Sequence, residues 1–240
     1  MLTYAKLKRN RRKFLALTGL TPKEFKLLLP AFQRAYARRF PPDQTVRGTV
    51  RQRKRGGGRN SSLASPEQKL LFVLVYLKTY PLQELLGEVF DLSQSCANRW
   101  IHQLLPVLQR ALKDAGVRPE RDPRQFARRE RQTGEPLDLI IDGTERRRPR
   151  PQNSEKQVLY YSGHKKTHSD KNVVIANRKT KRIGYLSQTY AGKTQDKKIV
   201  DRERIVYPRG AKLHQDTAFQ SYAPRGCEVY QPKKSHARAN

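Results

Sequence analysis

The apolar residues of this chain change their spacing once, near its middle, and that change sets what it can fold into. In the first half they return every three or four residues, as in Phe25, Leu28, Leu29, Phe32 and Tyr36, which is the repeat of an amphipathic helix. In the second half they gather in short β-branched runs, beginning with Leu137-Asp138-Leu139-Ile140-Ile141, which is strand chemistry. A helical half followed by a half built around a sheet is therefore expected. A length of 240 residues leaves room for both as small domains.

Charge indicates the partner. The chain has 51 Lys and Arg against 21 Asp and Glu, a formal net charge of +30. Such an excess implies a polyanion, with double-stranded DNA first in line. A membrane surface also attracts basic segments, but the longest unbroken apolar run, 70–77, falls far short of the ~20 residues of a spanning helix. Residues 1–14 are basic but have no apolar stretch behind them and no small-residue cleavage site, so they do not read as a secretory signal. The expectation is a cytoplasmic, nucleoid-associated protein with no membrane contact. Cys96 and Cys227 match no paired pattern and read as ordinary buried thiols.

Along the first half, Thr21-Pro22-Lys23-Glu24 has the makings of a capping box, and a helix should follow, bent or divided at Pro30. Residues 1–40 are thus a helical segment. Residues 41–62 lose the apolar signal and read as a basic linker in which Arg53, Lys54 and Arg55 are placed to follow a phosphate backbone, although such runs can also be solvated loops.

A second box, Ser65-Pro66-Glu67-Gln68, opens a Leu-rich helix central to its domain. A short helix follows with Leu82, Leu85, Leu86 and Val89 inward, then a turn at Phe90-Asp91-Leu92, then a helix capped by Ser93. Ala97, Trp100, Ile101 and Leu104 form the buried stripe of that third helix, leaving Gln94, Ser95, Asn98, Arg99 and His102 on its polar face. Three helices with a tight turn before the third are a helix-turn-helix arrangement over residues 63–115, whose last helix enters the major groove. Asn pairs bidentately with adenine and Arg with guanine, so Asn98 and Arg99 lead the candidates for base contact, with Ser95 and His102 beside them. Any amphipathic helix has a polar face, and the pattern alone is only moderately specific. Pro106 should end or kink that helix, and 116–135, with Pro119 and Pro123, reads as a second polar linker.

The remainder, 136–240, reads as strand, hairpin, helix, strand, with Asp142 and Asp216 at the tips of the first and last strands. That is the requirement of an RNase H-like nuclease, in which carboxylates from separate strands hold two divalent metals about 4 Å apart on a phosphodiester. The fold class expected is multi-domain α plus α/β, an all-helical helix-turn-helix module followed by an incomplete RNase H-like domain.

Asp142-Gly143-Thr144-Glu145, Tyr160-Tyr161-Ser162-Gly163-His164-Lys165-Lys166-Thr167-His168, Gly192-Lys193-Thr194-Gln195-Asp196 and Asp216-Thr217-Ala218-Phe219 resemble successive blocks of bacterial insertion-sequence DDE transposases. The nearest likeness is to insertion-sequence family five, related to the eukaryotic Harbinger elements. The resemblance implies that Asp142 and Asp216 are catalytic and bind Mg2+ or Mn2+, with two ions in a complete site. It implies that Asp196 supports them, and that His164, Lys165, Lys166 and His168 form a basic block on a strand near the site, suited to phosphate. Zinc at His164 and His168 lacks further Cys or His ligands nearby. The family also supplies a third acid, a Glu, on a helix well beyond the second Asp. Glu228 is the only carboxylate after Asp216 and reads as a surface residue. The domain is therefore expected to be truncated, with the missing Glu supplied by a second reading-frame product or frameshift extension, or lost by decay.

The function expected is a transposase that binds the terminal repeats of its element and cleaves and transfers strands, with a second copy of itself among the expected partners. The alternative is a catalytically inactive DNA-binding protein or repressor. An RNA-binding protein is the weakest reading, since the basic segments lack interleaved aromatics.

Overall fold

The computed structural model of the chain describes residues 1–45, 48–52, 61–132 and 137–232. Arg53, Lys54 and Arg55 lie outside them. The chain divides into two compact units, Met1–Val117 and Arg118–Asn240.

The first unit is helical. It contains α1 (Tyr4–Leu7), α2 (Arg11–Thr18), α3 (Pro22–Arg39), α4 (Pro66–Thr79), α5 (Gln83–Phe90) and α6 (Gln94–Asp114). Its core is rich in fully buried aromatic rings, including Phe14, Phe25, Phe32, Phe72 and Phe90. α2 was not expected, though its signals are in the sequence: Asn10 caps it by accepting from the Lys13 N–H, and Gly19 ends it at φ 73°.

The capping box on α3 is complete, with Thr21 and Glu24 bonding reciprocally. The one expected on α4 is half formed. Ser65 accepts from the Gln68 N–H, but the Gln68 side chain instead donates to Leu2 O at 2.6 Å and accepts from Tyr4 N at 3.1 Å. Gln68 thereby ties the start of the chain to the central helix, most of whose length is buried.

Both interior prolines are absorbed. α3 runs through Pro30 and α6 through Pro106. An interior proline costs about 3 kcal/mol, and burial of a Leu or Val side chain returns about 1.5–3 kcal/mol. Leu104, Val107 and Leu108, all buried around Pro106, therefore outweigh it. The expected inward face of α5 is half right. Leu86 is buried and Val89 packs against the core, but Leu82 and Leu85 are 77% and 57% exposed, and Phe90, four residues from Leu86, is the larger buried anchor.

The second unit contains α7 (Pro123–Gln132), β1 (Asp138–Arg147), α8 (Ser154–Tyr160), β2 (Tyr161–Ser162), β3 (Thr167–Asn177), β4 (Ile183–Leu186), β5 (Tyr190–Ala191), α9 (Asp196–Glu203), β6 (Ala211–His214), a 3-10 turn (Thr217–Phe219) and β7 (Cys227–Tyr230). The segment read as a second linker is thus largely helix. Pro123 opens α7, where its missing N–H costs nothing, and Phe126 and Ala127 bury in the core of this unit. Its arginines conceal the apolar face in the sequence.

The strands form a mixed sheet in the order β2-β3-β1-β6-β7, with β4 and β5 also paired to β3. β1 is antiparallel to β3 from Leu139↔Asn177 to Arg147↔Ser169, and parallel to β6 from Asp138↔Lys212 to Ile140↔His214. Leu139 and Ile141 point into a core shared with Phe126 of α7 and Ile199 and Val200 of α9. Alternation along the strand puts Ile140, 43% exposed, and Asp142 on the opposite face.

Candidate active site

β1 passes through the middle of the sheet, and its alternation delivers Asp142 to the open face. Its Oδ1 accepts the Gly143 N–H at 2.8 Å. Asp216 follows the end of β6 and caps the 3-10 turn, its Oδ1 accepting the Ala218 N–H at 2.9 Å. Neither Oδ2 has a protein donor among the described residues. Both carboxylates line one open pocket of about 900 Å³, together with Glu145, Lys171 and Asp196.

The anchoring of this pocket comes from α9. Glu203 near its C-terminal end accepts from the Tyr190 hydroxyl at 2.7 Å, the Gln188 N–H at 3.1 Å and the Tyr185 hydroxyl, which fixes the helix to β4 and β5. Burial, then the bond to Glu203, push the Tyr190 hydroxyl up to about 12. At the other end of the helix, the Asp196 carboxylate lies directly on the backbone of Gly143. A Cβ at position 143 would stand 2.6 Å from the Asp196 carboxyl carbon, so any residue but glycine beside Asp142 would force the Asp196 side chain or the strand to shift.

Lys171, on β3, closes the arrangement. Its Nζ is 3.2 Å from Glu145 Oε1 and 3.2 Å from Asp196 Oδ1, and its side chain is 10% exposed. Burial raises the Asp196 pKa; Lys171 opposes this, while the Asp216 and Glu145 charges add to it. Burial also pushes Glu145 up, but hydrogen bonds from Ser169, Ser162 and Lys171 outweigh it and the net direction is down. Asp196 therefore sits in the same pocket as Asp142 and Asp216, paired with Lys171. Sequence reasoning passed over Lys171 and Glu145. A lysine inside an otherwise alternating strand, at Lys171, was the available signal.

Among the described residues no three His, Cys, Asp or Glu side chains form a group able to hold a metal ion. What the pocket offers is a pair of carboxylates with free hard oxygens. That donor set suits Mg2+, which is commonly bound through one or two carboxylates plus water and phosphate oxygens.

The basic block is divided. Residues 163–166 form a turn, with Lys166 at φ 51°, rather than the expected strand, and only His168 lies on β3. His164 and Lys165 line the carboxylate pocket, whereas His168 lines a neighbouring one. Lys166 lines neither of these two pockets.

In the first unit, α5 and α6 meet at a tight turn. Leu92 N–H donates to Gly87 O at 2.9 Å, and a Cβ on Gly87 would meet Leu92 O at 2.5 Å. Ser93 caps α6 by accepting from the Cys96 N–H. Ser95, Arg99 and His102 are exposed at four- and three-residue steps, hence on one face. Asn98 is half-buried, and its Nδ2 donates to Gln83 Oε1 at 3.1 Å, an acceptor shared with Gln94 Nε2 at 3.0 Å. Asn98 thus links α6 to α5. No described helix is long and apolar enough to cross a membrane.

A family model described as a helix-turn-helix of DDE superfamily endonuclease matches residues 61–114, which hold α4, α5 and α6. A model described as DDE superfamily endonuclease matches residues 141–238, which start one residue before Asp142. No curated protein and no solved structure matches the chain. In both of its units the chain is similar to transposase-like endonucleases of the DDE superfamily.

Proposed function

We propose that this chain, with a DNA-binding helix-turn-helix in one unit and a DDE-type endonuclease in the other, is a DNA transposase of the insertion-sequence kind, nearest to family five and Harbinger-related elements. The observation that carries the reading is the delivery of Asp142 and Asp216 to one pocket by adjacent parallel strands. The sheet around them is read as an RNase H-like nuclease domain. The substrate is double-stranded DNA at the ends of the element, bound through α6, with Ser95, Arg99 and His102 toward the groove and the net charge supplying affinity for phosphate.

Asp142 and Asp216 would hold Mg2+ or Mn2+, and the metal would supply Lewis-acid activation of the scissile phosphodiester. The rest is done by the protein. His164 and Lys165 neutralise and orient the phosphate entering the pocket. Asp196, held by Lys171 and seated on Gly143, fixes the backbone that carries Asp142. The reaction is in-line transfer at phosphorus: water attacks and displaces the 3′-oxygen of the element's end, and that 3′-hydroxyl then attacks a target phosphodiester and displaces the 3′-oxygen there.

The test is nicking of plasmid DNA by the purified chain in Mn2+ or Mg2+, compared with Asp142→Asn. Metal-dependent nicking by the wild type and none by the variant is the expected result. DNA binding without nicking in either metal would replace this reading with that of a DNA-binding repressor.

A further inference from the structure

We propose that a second pocket, adjoining the carboxylate site, receives an unstacked nucleobase of the DNA strand being cut; the proposal rests on the endonuclease reading above. The pocket has a volume of about 620 Å³ and is lined by Arg150, Gln157, Val158, Tyr161, His168 and Lys193, together with Gly163. The 163–166 turn joins the two pockets: Gly163 lines this one, and His164 and Lys165 line the carboxylate site.

Its floor is apolar and open. Val158 is 62% exposed and Tyr161 42%. The floor is also tied to the sheet. Tyr161 pairs with His168 across β2 and β3, and their rings meet edge to face with centroids 5.6 Å apart. The preceding Tyr160 is covered by the Arg148 guanidinium at 3.7 Å, and Arg148 is in turn paired with Asp170 at 2.9 Å. The rim is cationic. Arg150 is oriented by two bonds to Gln157 Oε1, at 3.0 and 2.8 Å, and Lys193 is exposed.

An exposed aromatic floor under a cationic rim, in a chain of net charge +30, asks for a ligand that is both polyanionic and flat-faced. Duplex DNA hides its base faces inside the stack. A base turned out of the stack presents one, and base–aromatic stacking tolerates any sequence. A strand whose phosphate lies at Asp142 and Asp216 can place a neighbouring base on Tyr161 and a neighbouring phosphate at Arg150 and Lys193.

The experiment uses the full chain and two fluorescein-labelled probes, an oligo(dT) of about 15 nucleotides and a duplex of the same length. Tyr161→Ala is expected to weaken oligo(dT) binding about tenfold, in keeping with the loss of one stacked base, and duplex binding less than about twofold. Tyr161→Phe keeps the ring and should restore the affinity. Arg150→Gln and Lys193→Gln should each flatten the single-strand salt dependence by about 0.7 in slope. Val158→Glu, on an exposed helical position, gives the same selective loss if Tyr161→Ala does not fold.

Equal losses on the two probes, no loss, or failure of Tyr161→Phe to restore binding would overturn the proposal. A pocket built for a peptide would leave both DNA affinities unchanged and is excluded by the same readout. The two readings fail separately. Selective loss at Tyr161 without metal-dependent nicking by the wild type sinks the nuclease alone, while nicking with no Tyr161 effect sinks the pocket alone.

Discussion

Asp142 and Asp216 stand at the same offset, each two residues beyond the paired residues Ile140 and His214 on neighbouring parallel strands. The shared offset brings both carboxylates to the same end of the sheet, on the pocket that they line together. On the proposed reading both hold the metal, and removing either should remove activity. Loss of a partner that only orients a ligand typically costs 10–100-fold, and loss of the ligand itself should cost at least about a hundredfold in nicking rate. Asp142→Asn and Asp216→Asn are both exposed changes, and thermal melting should stay within about 0.5 kcal/mol of wild type. Retained nicking by either variant would place the chemistry elsewhere.

Lys171→Met leaves Glu145 and Asp196 facing one another without their shared cation. Breaking a buried ion pair on one side costs about 3–5 kcal/mol. Urea unfolding should show a loss of that order at neutral pH and a smaller one near pH 4, where the carboxylates can protonate. A loss independent of pH would mean that Lys171 acts by packing alone.

Asp196→Asn tests the same network through linkage. The folded Asp196 pKa is raised, so the native state holds this proton more tightly than the unfolded chain. Its stabilisation is fully present below the unfolded value and is lost as pH rises through the folded one. The variant lacks this titration. Its stability relative to wild type should therefore increase between about pH 4 and pH 7, measured by denaturant melts without metal or DNA. Glu145, with a lowered pKa, works in the opposite sense, and because it shares Lys171 with Asp196 the comparison reads the two carboxylates as a pair.

Gly143→Ala adds a methyl group into the Asp196 carboxylate. Overpacking of this kind costs about 1–3 kcal/mol, and the strand carrying Asp142 must shift to relieve it. The expected result is a folded protein that melts lower and nicks DNA poorly. Wild-type nicking by this variant would show that the seat of Asp196 on Gly143 does not hold the site.

Arg99→Ala should reduce binding to a selected target by about 1–3 kcal/mol while leaving random duplex nearly unaffected. Gln83→Ala frees Asn98 and Gln94 and should blunt the same discrimination to a lesser degree. Competition binding at fixed salt measures both. Equal loss on target and random DNA would remove α6 from sequence recognition.

Periodicity and end signals made several elements legible in the sequence. The capping box at Thr21 and Glu24, the Ser93 cap and the helix starting at Asp196 are local features, and local chemistry is what a sequence displays. The strand through Asp142 was legible too, but not its end: β1 pairs with β3 as far as Arg147, so Asp142 lies in mid-strand and not at the tip. Tertiary burial overrode local preference where the two conflicted. Pro106 did not end α6, Leu82 and Leu85 stayed outside, and an arginine-rich stretch became α7, because each outcome depends on what packs against the segment.

The sequence by itself determined the two acids and the basic, DNA-seeking character of the chain. Only the tertiary structure decided that Asp142 and Asp216 share a pocket, that Lys171 joins Glu145 to Asp196, that Asp196 rests on Gly143, and that His168 lines a second cavity while His164 lines the first. The reason is sequence separation. Asp142 and Asp216 are brought together by parallel pairing of β1 with β6, and Lys171 meets both its carboxylates by antiparallel register and the seating of α9. Such long-range geometry is set by which faces of the sheet bury against which helices, and no local spacing encodes it.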